Sequence, residues 1–201
     1  MIVFLDRQHV GKPNNIHDRG ASLDPVPSFG LGLEAIYTGY LSLIIESRLI
    51  SQGVKVMPIT DGRYPERHKR VNDYSYQFLQ DNFREKQVYI SLHLNAGGGD
   101  YCSMFYHHQS TQGALLAESI CERMKTIKDQ FPKIKRCLPK KASPEDWTKN
   151  AYNTIKGVGS PIAICAEPLF IDTHREYLSY SQLEVIGDMI ASGIIDWSQD
   201  D

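Results

Sequence analysis

What most restricts the fold of this chain is an alternation between two hydrophobic periods. Short apolar runs at residues 2–5, 54–59, 88–94 and 161–166 read as strands, and a further strand resumes at 101–106 after the glycines 97–99. Between them, apolar residues recur at helical spacing. The clearest strand is 88–94, where Val88, Ile90, Leu92 and Leu94 share one face while Tyr89, Ser91, His93 and Asn95 share the other. A helix over 31–52, ended by Gly53, carries Leu33, Tyr37, Tyr40 and Ile44 on one stripe with Leu41, Ile45 and Leu49 beside it. A second, over 65–84, turns Val71, Tyr74, Phe78 and Leu79 inward. A third spans 112–128, and the last carries Leu183, Ile186, Ile190, Ile194 and Trp197. Residues 6–30 read as a long polar loop. In 130–160, Pro132, Pro139 and Pro144 argue against long elements. Strand–helix alternation of this kind predicts an α/β fold: a single layered domain over 1–201, with a twisted, mostly parallel sheet and helices on both faces.

Composition removes several classes of function. Twenty-two basic residues against 24 acidic leave a net charge of −2, so no global polycation is available for nucleic acid. One stretch, 123–141, does hold eight basic residues and one acid. Without a motif or regular aromatic stacking positions it reads as a solvated basic face, and no specific nucleic acid is expected. No apolar run is long enough to cross a membrane. The first residues read as a strand and not as a signal peptide, since no basic segment or long apolar stretch opens the chain. Synthesis in the cytoplasm without an export signal is therefore expected. Cys102, Cys121, Cys137 and Cys165 contain no CxxC pair, which predicts reduced, mostly buried thiols and no disulfide framework.

In parallel α/β sheets, ligands gather at the carboxyl ends of strands. His9, His93 and Glu167 all fall at or just beyond such ends. Glu34 joins them at the head of the 31–52 helix, continuing the stripe of Leu41, Ile45 and Leu49. Each has a plain reading when taken singly. A carboxylate in a first helical turn is favoured by the helix dipole, a lone histidine is commonly a hydrogen-bonding residue, and a glutamate at a strand end pairs with a cation. Taken together, two histidines and one glutamate match the three-ligand set of a hydrolytic zinc site, and a second glutamate supplies a base. Asn95 shares the strand face of His93 and reads equally as a substrate or supporting hydrogen-bonder and as a turn cap before the glycines. His17, His68, His107, His108 and His174 are expected on the surface or in loops.

At these residues the chain resembles the zinc-dependent N-acetylmuramoyl-L-alanine amidases of bacterial autolysins and phage endolysins. The family's opening strand and Asp-Pro-Gly-His-Gly-like turn are represented by Leu5, Asp6, Arg7, Gln8, His9, Val10 and Gly11. Asp18, Gly20 and Ala21 answer an Asp-x-Gly-Ala element, and Leu33, Glu34 and Ala35 a helix-borne glutamate. Ser91, His93, Asn95 and Ala96 spell Ser-x-His-x-Asn-Ala, and Glu167, Phe170 and Ile171 follow the last core strand as Glu-x-x-Phe-Ile. Order and spacing agree over nearly the whole chain. The departures are Arg7-Gln8 in place of Pro-Gly, and Pro168 after the glutamate.

The resemblance implies one zinc ion per chain held by His9, Glu34 and His93, with Glu167 as the catalytic carboxylate, while Asn95 keeps its two readings from the strand face. It implies hydrolysis of the amide between the muramic acid lactyl group and the L-alanine of the peptidoglycan stem peptide. The expected form is a single catalytic domain without a separate cell-wall-binding domain, monomeric and endolysin-like, made in the cytoplasm and acting on the wall. Two alternatives stay open at this point: a zinc exopeptidase cutting within stem peptides, and a non-catalytic protein that binds cell wall or nucleic acid.

Overall fold

The computed structural model describes residues 1–7, 34–81 and 84–200. In chain order these form β1 (Ile2–Arg7), α1 (Glu34–Ser51), β2 (Lys55–Ile59), α2 (Tyr64–Asp81), β3 (Gln87–Leu92), β4 (Tyr101–His107), α3 (Thr111–Thr126), β5 (Arg136–Ala142), α4 (Lys149–Ile155), β6 (Ile162–Glu167) and α5 (Tyr180–Gln199), with a 3-10 turn at Arg175–Tyr177 before the last helix. The strands make one sheet in the order β2-β1-β3-β6-β4-β5. β2, β1, β3 and β6 run parallel; β4 meets β6 antiparallel and then pairs with β5 in parallel. The expected α/β architecture with a mostly parallel sheet is thus the one observed.

Strand β1 shows why its sequence is an unbroken apolar run. Val3 and Leu5 enter the core formed with α1, α3 and α5, while Ile2 and Phe4 enter a second core with Val71 of α2 and Ala151 and Ile155 of α4. A strand covered on both faces has no solvent side to mark with polar residues. The same alternation puts Asp6 on the α2/α4 face, where it is fully buried.

Two expectations are corrected here, the first and third, and an open stretch is filled in. The inward stripes are narrower than the spacing implied: Tyr40 and Tyr74 are 43% and 40% exposed. In α2 the inward positions are Arg67, His68, Val71 and Ser75, because the sheet beneath them carries polar partners. Second, the 130–160 stretch holds no long element, as its prolines imply, but two of seven residues each, β5 and α4. β5 is a sheet edge, as is β2, and each edge strand carries its proline (Pro139 and Pro58) where a missing N–H costs no central ladder bond. Third, the cysteines are not all reduced. Cys102 and Cys137 face each other in the β4–β5 register with Cα atoms 4.6 Å apart, and they form a disulfide; Cys121 and Cys165 are free and buried. Spacing along the chain gives no warning of this, since the pair is 35 residues apart and is joined by strand pairing.

Candidate active site at the ends of β3 and β6

β3 and β6 are neighbours, and their register continues past β3: the His93 N–H donates to the Ala166 carbonyl at 2.9 Å. This sets His93 beside Glu167, the last residue of β6, on the α2/α4 face. Glu34, the first residue of α1, reaches the same place and is only 3% exposed. Its Oε1 accepts from the Leu94 N–H at 2.9 Å and lies 3.1 Å from His93 Nδ1. Three of the four residues expected at the reaction centre are therefore brought together. The fourth, His9, lies outside the described residues. Among the described residues no three His, Cys, Asp or Glu side chains close into a metal-binding group; Glu34 and His93 are the two placed to contribute to one.

Glu167 is held from beside. Asn95 Nδ2 donates to Glu167 Oε2 at 2.7 Å, while Asn95 Oδ1 accepts from the Ala96 N–H at 2.8 Å. The amide thus both caps the following turn and fixes the carboxylate. Burial, and then the negative charge of Glu34, push the Glu167 carboxyl up to about 7, while the Lys140 ammonium acts the other way. An acid with that affinity can take and return a proton near neutral pH.

The turn that carries Asn95 is stitched to the segment after Glu167. Asn95 N–H donates to the Leu169 carbonyl and Ile171 N–H to the Asn95 carbonyl, each at 2.8 Å. Asp172 Oδ2 accepts from the N–H groups of Gly97 and Gly98 at 2.8 and 2.9 Å, and both glycines have positive φ, 109° and 81°. Gly99 has a different reason: a Cβ there would fall 2.2 Å from the Phe170 ring. These contacts make 93–99 and 167–173 one support for the Asn95–Glu167 pair.

Several residues of this region went unrecognised in the sequence. Below the site, Arg67 and Asp6 form a fully buried ion pair. Arg67 also donates to the carbonyls of Gly62 at 2.7 Å and Arg7 at 2.9 Å, and Tyr89 hydroxyl bonds Asp6. Lys140, on β5, sits with its Nζ 4.1, 4.6 and 5.9 Å from the ring centres of Tyr101, Trp147 and Phe105. Its membership of the basic 123–141 stretch had concealed it. That stretch is no uniform basic face: Arg123 pairs with Asp196 and Lys133 with Glu176. Two histidines expected at the surface are buried. His68 Nε2 lies 2.8 Å from the Thr154 carbonyl, and His174 Nδ1 accepts from the Phe170 N–H at 3.0 Å. A cavity of about 860 Å³ lies between α2 and α4 against Tyr64, His68, Asn72 and Asn153, and none of Glu34, His93 and Glu167 lines it.

No family model and no curated protein matches the chain. Solved structures do. The chain superposes on the N-acetylmuramoyl-L-alanine amidase AmiC2 of Nostoc punctiforme with a TM-score of 0.66 at 17% identity, covering 99% of this chain and 97% of that one. With the CwlD amidase from Clostridioides difficile, solved in complex with the GerS lipoprotein, the TM-score is 0.69 at 18% identity, with 100% and 99% covered. With the catalytic domain of the CD27L endolysin, which targets Clostridia difficile, it is 0.63 at 20% identity, with 98% and 97% covered. The chain has the fold of the N-acetylmuramoyl-L-alanine amidases.

Proposed function

We propose that this chain is a zinc-dependent N-acetylmuramoyl-L-alanine amidase that acts on peptidoglycan in an endolysin-like role. The observation that carries this reading is the convergence of Glu34, His93 and Glu167 at the adjoining ends of β3 and β6. Two carboxylates at such a place repel one another, and after burial the Glu34 charge is what holds the Glu167 pKa above the ordinary carboxylate range. A divalent cation relieves that conflict, and mixed nitrogen and oxygen donors suit zinc. His9, Glu34 and His93 would hold it. When bound, zinc would supply Lewis acidity toward the scissile carbonyl and lower the pKa of water to about 7.

This chain's own residues perform the proton transfers. Glu167 removes a proton from the attacking water as the new C–O bond forms at the lactyl carbonyl. It then delivers that proton to the departing L-alanine nitrogen, so that the C–N bond breaks with a neutral amine leaving. Asn95 keeps Glu167 turned toward the reacting atoms through the 2.7 Å hydrogen bond.

Digestion of purified peptidoglycan tests the reading. Stem peptides with a new L-alanine amino terminus, on intact glycan strands, are the expected products, and metal analysis is expected to return one zinc per chain. New carboxyl termini inside the stem would identify a peptidase in place of an amidase. Absence of any product from zinc-loaded protein would refute both.

A further inference from the structure

Across the strand ends from His93, on the far side of Glu167, lies a second chemical feature. Ser103 is the cross-strand partner of Glu167, and Phe105 that of Cys165, so β4 runs toward its start as β6 runs toward Glu167. Lys140 leaves β5 opposite Phe105, yet its ammonium is nearer to Tyr101, 4.1 Å from that ring centre, than to Phe105, at 5.9 Å. The side chain therefore leans along the sheet toward the end where the site lies, within reach of the Glu167 charge. Trp147, 67% exposed, closes over the ammonium from the other side at 4.6 Å and packs edge-on against Phe105. Among the described residues Lys140 makes no ion pair within 4 Å, unlike Lys125 and Lys133 of the same basic stretch. Ser103 Oγ, fully buried beside Glu167, has no hydrogen-bond partner among the described residues either.

A half-buried ammonium between aromatic faces is attracted to the rings, but its charge is not neutralised by them. A carboxylate entering from the open side would form a charge-assisted hydrogen bond in a partly desolvated setting, which is where such bonds are strongest. We propose that Lys140, with Tyr101 and Trp147, forms a subsite for a free carboxylate on the peptide part of the substrate, on the leaving-group side of the scissile amide. This rests on the amidase reading above and names what that site selects: stem peptides whose second residue carries a free α-carboxylate, against those in which it is a carboxamide. The aromatic faces of Tyr101 and Trp147 exclude water around the contact, and Lys140 sets specificity without touching the bond that breaks.

Steady-state kinetics on two synthetic N-acetylmuramoyl tripeptides decide the matter. Both have an amidated carboxyl terminus, and they differ only in a free carboxylate or a carboxamide at the second residue. The zinc-loaded wild type is expected to show a KM roughly tenfold lower for the carboxylate, as one charge-assisted bond provides. Lys140→Met is expected to bring the ratio of the two KM values within about twofold, and Lys140→Arg to keep most of the preference, which controls for damage to the fold. Equal KM values for the wild type, or loss of kcat on both substrates in Lys140→Met with the preference retained, would overturn the subsite and leave the amidase reading standing. No turnover of either substrate by the wild type overturns the amidase reading itself, and the subsite with it.

Discussion

Removing the Arg67 guanidinium should unfold the site from beneath. Arg67 and Asp6 are both fully buried, and Arg67 ties two separate pieces of chain to α2: the end of β1, through the Asp6 carboxylate and the Arg7 carbonyl, and the turn ahead of α2, through the Gly62 carbonyl. In Arg67→Met the Asp6 charge keeps the Tyr89 hydroxyl but loses its buried cation. Breaking one side of such a pair costs about 3–5 kcal/mol, because the remaining ion is stranded away from water. For a chain of this length about 2–4 °C of melting temperature is lost per kcal/mol, so the midpoint should fall by roughly 6–20 °C. Calorimetry and urea titration measure this directly. A double-mutant cycle then separates the charge from the packing. In Asp6→Leu/Arg67→Met no stranded ion remains, so the double variant should be more stable than the two single losses add up to, by at least about 1 kcal/mol. It should still fall short of the wild type, since the Gly62 and Arg7 carbonyls lose their donor in either case. Strict additivity, or a fall of less than about 2 °C in Arg67→Met, would show that the pair does not hold this corner of the sheet.

Other substitutions separate chemistry from support. Glu167→Gln keeps the shape and removes the base, so kcat on peptidoglycan should fall by about 10²–10⁴ with the melting temperature held within a few degrees; retention of wild-type rates would refute its assignment. Asn95→Ala leaves the base in place but unheld, and a smaller loss of roughly 10–100-fold is expected, in kcat more than in KM. Because burial and Glu34 raise the Glu167 carboxyl to about 7 from its ordinary 4.5, the metal-free folded protein binds that proton more tightly than the unfolded chain. Its stability should therefore decline as pH rises from about 4.5 through about 7, by no more than roughly 3 kcal/mol. Urea midpoints between pH 5 and 8 read this, and Glu167→Gln should flatten the profile. Gly99→Ala forces the Phe170 ring aside, at an expected cost of about 1–3 kcal/mol in thermal unfolding.

The sequence was most informative where burial is total and the chemistry local. The runs that became β1, β3 and β6 are apolar because both their faces are covered, and 88–94 even separates its two faces correctly: Val88, Ile90 and Leu92 fall in one core and Tyr89 in the other. Glu34, His93, Asn95 and Glu167 were visible because each breaks an apolar pattern at an element end. Where the reading failed, an edge or a pairing between distant segments decided the outcome. Pro139 resembles a strand breaker only if the strand is assumed to be central. Cys102 and Cys137 look unrelated until β4 and β5 pair. His68 looks like a surface residue in a polar helix until the face beneath α2 proves to carry Asp6, Tyr89 and the Thr154 carbonyl.

Lys140 is the most consequential case, because charge counting and geometry assign it opposite roles. In the sequence it is one of eight basic residues spread over 123–141, a stretch that reads as a solvated basic face. Three events in the fold remove it from that company. β4 reverses direction against β6, which brings the start of β4 to the end of β6 where Glu167 lies. β5 then follows β4 in parallel, so a side chain leaving it opposite Phe105 can lean toward the same end. The connection to α4 finally returns Trp147 over the ammonium. None of these depends on the residues next to Lys140 in sequence. A side chain's chemistry follows from what encloses it, and for Lys140 the enclosing rings come from positions 101, 105 and 147. The four-residue cluster at His93 and Glu167 describes how an amide could be cut. The lysine beyond it bears on which amide, and that part of the function is written in strand direction and not in any motif.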